Sequence, residues 1–174
     1  EILIILFAAF LSFKTTDPII RKKNHFTWGA IQEVGTLFIG IFITMQPALS
    51  ILKGMGAGLG ITEPYQMFWT TGVLSSFLDN TPTYLVFLTT AGAIGFTDGL
   101  ATTLGLVPVK VLTAISCGAV FMGANTYIGN APNFMVKAIA DENGIHMPSF
   151  FRYIGWSVMV LFPVFLLDTL LFFR

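Results

Sequence analysis

One apolar stretch fits no ordinary way of crossing a bilayer. Tyr65 to Phe96 covers 32 residues, about 48 Å as one helix, which is too long for the ~30 Å hydrocarbon core and too short for two crossings. Its centre is polar. Ser75, Ser76, Asp79, Asn80, Thr81, Pro82 and Thr83 divide it into two arms, Tyr65 to Leu78 and Thr83 to Phe96, each about 21 Å long. A re-entrant hairpin (65–96) with its tip near the midplane satisfies this arithmetic. Two short helices joined by a tight external turn are the alternative. A bilayer is the relevant solvent because the 174 residues are 55% hydrophobic and only 10% charged, against about 45–50% and about 25% in soluble domains. Nine basic residues balance nine acidic ones, so no net field draws nucleic acid or an acidic partner. The single cysteine, Cys117, lies in an apolar run and reads as a packing residue.

A second interruption follows in 109–140. Val109 to Met122 and Asn133 to Ala140 have helical composition, but Gly123, Asn125, Thr126, Gly129, Asn130 and Pro132 lie between them. This reads as one crossing with an unwound middle. Unpaired backbone in hydrocarbon costs several kcal/mol per group, so such breaks persist where protein or a hydrated cavity receives them. The two breaks are also related. Phe77-Leu78-Asp79-Asn80-Thr81-Pro82-Thr83-Tyr84-Leu85-Val86 aligns at an offset of 50 with Tyr127-Ile128-Gly129-Asn130-Ala131-Pro132-Asn133-Phe134-Met135-Val136. Proline is tolerated in a first helical turn, and Asn or Thr caps the free amides there, so each copy starts a half-helix at its break. The alternative is that Asn-x-Pro merely kinks two helices.

Charge position sets the expected topology. Lys14, Arg21, Lys22 and Lys23 crowd the 14–25 linker, which places it in the cytoplasm. Before it, 1–13 is about 18 Å as a helix and reads as a truncated span, so the chain is expected to be a piece of a longer protein. Asp17-Pro18 signals a short interfacial helix. The 26–53 span, apolar from Ile31 to Leu52, is expected to be interrupted by Pro47 and to leave the outer face near Lys53. Gly54, Gly56, Gly58 and Gly60 then punctuate an external loop. The hairpin enters from outside, the broken helix runs inward, Asp141 to Arg152 is cytoplasmic, and the last span, 151–173, leaves the C-terminus external. The expected location is the cell (inner) membrane.

Asp79 is the most informative residue. A mid-membrane carboxylate costs roughly 2.5–3.5 kcal/mol on insertion scales and usually faces a cavity. Burial would raise its pKa and allow a proton to be exchanged for a cation. Asn80, Thr81, Asn125, Thr126 and Asn130 supply neutral oxygens suited to a hard cation, so a sodium site is expected at Asp79, Asn80, Asn125 and Asn130. Capping of the second arm is the plainer role for Asp79. Glu33 and Asp168 are weaker candidates close to helix ends, and Lys137 is expected to snorkel to the cytoplasmic exit. An intramembrane hydrolase cannot be assembled: only Asp79 is deep, and His25 and His146 fall in linkers. A purely structural subunit is the remaining non-transport reading.

The Ser75 to Thr83 stretch, followed by Gly-Ala-Asn-Thr-Tyr-Ile-Gly-Asn-Ala-Pro-Asn from Gly123 to Asn133, resembles the second half of an ion transporter superfamily member. That group includes NhaD-type sodium/proton antiporters, arsenite permeases, citrate transporters and sodium/dicarboxylate symporters. The resemblance covers the chain and implies an all-α integral membrane protein. It would be the C-terminal half of an inverted-repeat transporter, with a re-entrant hairpin and a discontinuous helix. It also implies a partner N-terminal half and, often, a homodimer. Substrate and ion would bind at Ser75, Ser76, Asp79, Asn80, Thr81, Thr83, Asn125, Thr126 and Asn130, with Pro82, Gly123, Gly129 and Pro132 shaping the breaks. Sodium and protons would be the coupling ions, with no other cofactor. Asp79 before Asn80 departs from the Ser-Asn-Thr pattern of the dicarboxylate branch and tells against a carboxylate substrate, because a fixed anion repels a carboxylate unless cations intervene. Sodium/proton antiport is therefore the first expectation, and cation-coupled transport of citrate or a related carboxylate the second.

Overall fold

The computed structural model describes residues 2–24 and 28–174. His25 and the start of the 26–53 span lie outside the described residues. The chain divides into two compact units, Glu1–Ile39 and Gly40–Arg174.

The first unit opens with α1 (Ile2–Thr15), whose apolar side chains are all exposed. Asp17 and Pro18 start α2 (Pro18–Lys23) as expected: the Asp17 carboxylate accepts from the Ile19 amide at 2.8 Å, and proline takes the first helical position, where no amide partner is needed. Arg21 donates to the Ser12 carbonyl at 2.7 Å and lies 4.0 Å over the Phe13 ring, which stacks on Trp28 at 5.1 Å. Next comes α3 (Gly29–Met55), within which the division between the units falls. Pro47 does not interrupt it. Proline removes one helical hydrogen bond, a loss that long apolar helices tolerate without unwinding.

In the second unit the glycine-rich stretch is not wholly irregular, because a 3-10 turn, Gly56–Leu59, follows α3 directly. Gly60, at φ 66°, makes the left-handed turn out of it. Glu63-Pro64 opens α4 (Pro64–Ser75), and the Gln66 side chain accepts from the Thr62 and Glu63 amides at 3.0 and 3.1 Å. A turn leads into α5 (Asn80–Ile94), closed by Gly95 in the left-handed region. The α4–turn–α5 unit occupies the expected hairpin segment.

Between α5 and α6 the sequence reading contained no strand, yet two form. β1 (Leu100–Thr102) and β2 (Gly105–Val107) pair antiparallel around a two-residue turn, with Leu100 opposite Val107. The Thr102 hydroxyl ties the turn by donating to the Gly105 carbonyl and accepting from the Leu104 amide. Val107 is fully buried. The fold is therefore mostly helical rather than all-α: three-residue strands carry too little alternation to declare themselves, and their pairing supplies hydrogen bonds that an irregular linker would lack.

Then follow α6 (Val109–Phe121), a 3-10 turn at Met122–Asn125, α7 (Ala131–Glu142) and α8 (Phe150–Phe172). Among the described residues, α8 is the one helix long and apolar enough by itself to cross a membrane. The core gathers Met67, Phe68, Ala91, Val107, Ala114 and Ile115, and Cys117 packs against its edge. From α8, Phe165 and the following Phe173 reach Phe68, and Thr169 accepts from the Trp69 indole at 3.0 Å.

The densest packing is α4 against α6, and its register reproduces the sequence repeat. Gly118 lies against the Phe68 carbonyl and Gly72 against the Met122 thioether. Thr126 bonds to Ser76. Successive partners step four residues along both chains, so the two helices run parallel and in register. Without a side chain at Gly72 or Gly118 the backbones approach closely, as small residues allow wherever helices pack in lipid.

Candidate functional site

Both chain breaks fall at the same end of this helix pair. α4 stops where the Ser76 hydroxyl turns back to the Gly72 carbonyl at 3.0 Å and the Phe77 and Leu78 amides share the Leu74 carbonyl. Asp79 starts α5: its carboxylate accepts from the Thr81 amide at 3.3 Å and is half-buried. In the second break the Thr126 hydroxyl oxygen accepts from the Ile128 and Gly129 amides at 3.2 and 2.9 Å, curling the loop toward α7. Asn130 stands at the N-cap of α7 and Pro132 in its first turn, but Asn130 makes no side-chain cap bond to that helix.

The two breaks interlock. Thr126 donates its hydroxyl to the Ser76 carbonyl. The Asn125 amide donates to the Ser76 hydroxyl oxygen at 3.0 Å, and the single Ser76 hydroxyl proton is shared between the Gly72 and Met122 carbonyls, each 3.0 Å away. Ser75, fully buried, donates to the Ala119 carbonyl. With its amide oriented as the surrounding partners require, Asn80 donates to the Ala119 carbonyl at 2.9 Å and the Gly129 carbonyl at 3.2 Å. Its oxygen accepts from Asn130 at 3.1 Å. Asn80 and Asn130, equivalent in the repeat, thus touch each other.

Backbone oxygens crowd the same junction. A Cβ at Gly129 would lie 2.6 Å from the Gly123 carbonyl, 2.8 Å from that of Ser75 and 2.9 Å from that of Ser76, while one at Gly123 would strike the Asn80 amide. These glycines are what let carbonyls from the end of α4 and from the 3-10 turn that ends α6 converge. Such ends carry the negative pole of the helix dipole, whereas α5 and α7 begin beside them with positive poles. The junction is rich in oxygens for a cation, and the positive pole of α5 is already met by Asp79.

Of the residues singled out by sequence, Ser75, Ser76, Asn80, Asn125, Thr126 and Asn130 come together here. Asp79 stands at the edge as the cap of α5. Thr81 is exposed, and the buried Thr83 hydroxyl is directed away, donating to the Asp79 carbonyl at 3.0 Å. Pro82 is buried in the first turn of α5. Asp168 is half-buried in α8, near Cys117 rather than the junction.

Over residues 1–173 the sequence matches the family described as "Putative citrate transport". The chain belongs to that family. It is accordingly a membrane protein of a transporter family, in keeping with the superfamily resemblance of its two break motifs. No curated protein and no solved structure matches it significantly.

Three residues of this transporter's junction escaped sequence reasoning. Asn133 donates to the Gly123 and Thr126 carbonyls at 3.1 and 3.3 Å, pinning the loop from within α7. Its signal was its place three residues after Asn130 in the second motif, where a first-turn side chain reaches back over the break. Tyr127 and Tyr153 stack with ring centroids 4.1 Å apart beside the loop. Tyr127 lay within the repeat, read only as an aromatic matching Phe77, while nothing in the sequence marked Tyr153.

Proposed function

We propose that this chain carries half of the machinery of a cation-coupled transporter of citrate or a related carboxylate, with the cation held where the hairpin tip meets the second break. The observation that carries the reading is the convergence of the Ser75, Ser76 and Gly123 carbonyls on Gly129, beside the Asn80–Asn130 amide pair. A hard, weakly charged cation is bound by neutral oxygens of this kind; the Ser76 and Gly123 carbonyls already accept from Thr126 and Asn133, and each carbonyl oxygen has a second lone pair to offer a cation. The family description supports citrate as cargo. The half-helix start at Asn130 offers an anion a positive pole, while Asp79 at the start of α5 favours a carboxylate accompanied by its cation over a bare one. In this reading α4 and α5 form a re-entrant hairpin, α6 and α7 one discontinuous crossing, and the N-terminal half of the protein completes the site.

Sodium/proton antiport is the second reading, favoured by one observation: Asp79 places a carboxylate at the same junction. Asp79→Asn separates the two, because asparagine also caps helices well and the change removes the charge. Full-length protein in proteoliposomes is expected to retain cation-driven citrate uptake in Asp79→Asn. Sodium-driven proton flux in the wild type that disappears in Asp79→Asn, with no citrate uptake in either, would overturn the carboxylate reading.

A further inference from the structure

We propose that Tyr127 and Tyr153 form a reciprocal clasp that holds the second break in its ion-binding shape, making both of them positioning residues for transport; the inference rests on the cation site proposed above. Tyr127 follows Thr126 in the break and is buried, and its hydroxyl donates to the Pro148 carbonyl, 3.1 Å away in the linker before α8. Tyr153, in the first turn of α8, sends its hydroxyl the opposite way, to the Ala124 carbonyl at 3.1 Å. Each side chain is anchored in the segment that carries the other. The rings stack between them at 4.1 Å and 29°, so the break cannot swing away from α8 without losing both bonds and the stack. Lys137 reinforces the corner: its ammonium lies 5.6 Å from the Tyr127 ring and pairs with Asp141, which also accepts from the Met147 amide in the same linker.

The anchored carbonyl is in a telling position. Ala124 precedes Asn125, whose amide reaches Ser76, and follows Gly123, whose carbonyl belongs to the oxygen cluster. Carbonyls at the end of a helical turn have lost their partners within the helix. The Tyr153 bond supplies one to Ala124 and fixes the peptide plane from which Asn125 is presented. Among the described residues the first copy has no such clasp. Phe77 stands where the repeat places Tyr127, lacks a hydroxyl and is 54% exposed. The clasp is thus particular to the second break, while the hairpin tip is held through Ser75, Ser76 and Asn80 instead.

Tyr153→Phe tests this, because it keeps the ring and removes only the hydroxyl. In full-length protein in proteoliposomes, the half-saturating cation concentration is expected to rise about tenfold, the loss of one well-placed hydrogen bond. Citrate KM at saturating cation stays unchanged. Tyr127→Phe gives the same direction, and Tyr153→Phe with Asn125→Ala falls short of the product of the single effects. A structural role alone would lower the folded yield and leave the cation dependence untouched, and that result overturns the proposal. Hydrogen exchange gives a readout independent of transport: amides of 123–130 should exchange faster in Tyr153→Phe while those of α5 do not. Absence of any cation dependence in the wild type would defeat the cation site, whereas unchanged exchange in 123–130 would defeat the clasp.

Discussion

Replacing Gly129 with alanine adds one methyl group at the point where the two breaks meet. Its Cβ would fall short of ordinary 3.4 Å contact with the Gly123, Ser75 and Ser76 carbonyl oxygens by 0.8, 0.6 and 0.5 Å. All three are backbone atoms, so no side chain can rotate aside: the second break must open between Gly123 and Gly129, and the hairpin tip must draw back with Ser75 and Ser76. Gly129 is not among the glycines with positive φ, so the backbone conformation itself accepts alanine and the effect is steric alone. Overpacking of this kind costs about 1–3 kcal/mol. If the strain falls on the cation-bound arrangement, binding weakens about 5- to 150-fold. The assay is the half-saturating cation concentration for uptake by full-length protein in proteoliposomes. Gly155→Ala is the control, since a Cβ there meets nothing within 4 Å, and it should behave as wild type. A Gly129→Ala protein with wild-type cation dependence would refute the reasoning, because the carbonyl cluster would then have no part in binding.

Other outcomes follow from the helix pair and the linker. Gly118→Ala should lower the thermal midpoint more than Gly72→Ala, because the first methyl strikes the Phe68 backbone while the second strikes the flexible Met122 side chain; equal midpoints would show that the α4–α6 register is not tightly set. At the cytoplasmic end expected for α7, the hydrogen bond from Lys137 and then that from the Met147 amide of the following linker hold the Asp141 carboxyl below the usual carboxylate range. A depressed folded-state pKa means that this contribution is complete above the usual range and is lost as pH falls through the depressed value. Asp141→Asn should therefore lower the thermal midpoint slightly at pH 7 and by less in strong acid; a difference that grows on acidification would contradict the assignment.

Much of this arrangement was legible in the chain before any coordinates. Asp17-Pro18 declared a helix start through chemistry confined to neighbouring residues. The polar centre of 65–96 declared a break, because apolar length and polar interruption are local properties. The offset of 50 declared a recurrence, but recurrence does not say that the copies touch. Their contact depends on Gly72 and Gly118 facing one another across two helices, a tertiary fact. Asp79 was legible both as ion chemistry at the break and as a cap of the second arm, and its bond to the Thr81 amide is that cap. Thr83 carries the same hydroxyl as Thr126, yet one helical turn directs it back to its own backbone. Pro47 looked like an interruption because its lost hydrogen bond is visible in sequence and the continuity of the surrounding helix is not. Tyr153 lies 29 residues from its partner Ala124 and carries no motif, so only folding brings them together.

The most direct test of the central claim is uptake of labelled citrate by the full-length protein in proteoliposomes, with and without an imposed sodium gradient. The junction reading predicts uptake that rises with the gradient, collapses in Gly129→Ala and in Asn80→Ala, and survives in Gly155→Ala. Uptake indifferent to the gradient, or untouched by changes at Gly129 and Asn80, would contradict it.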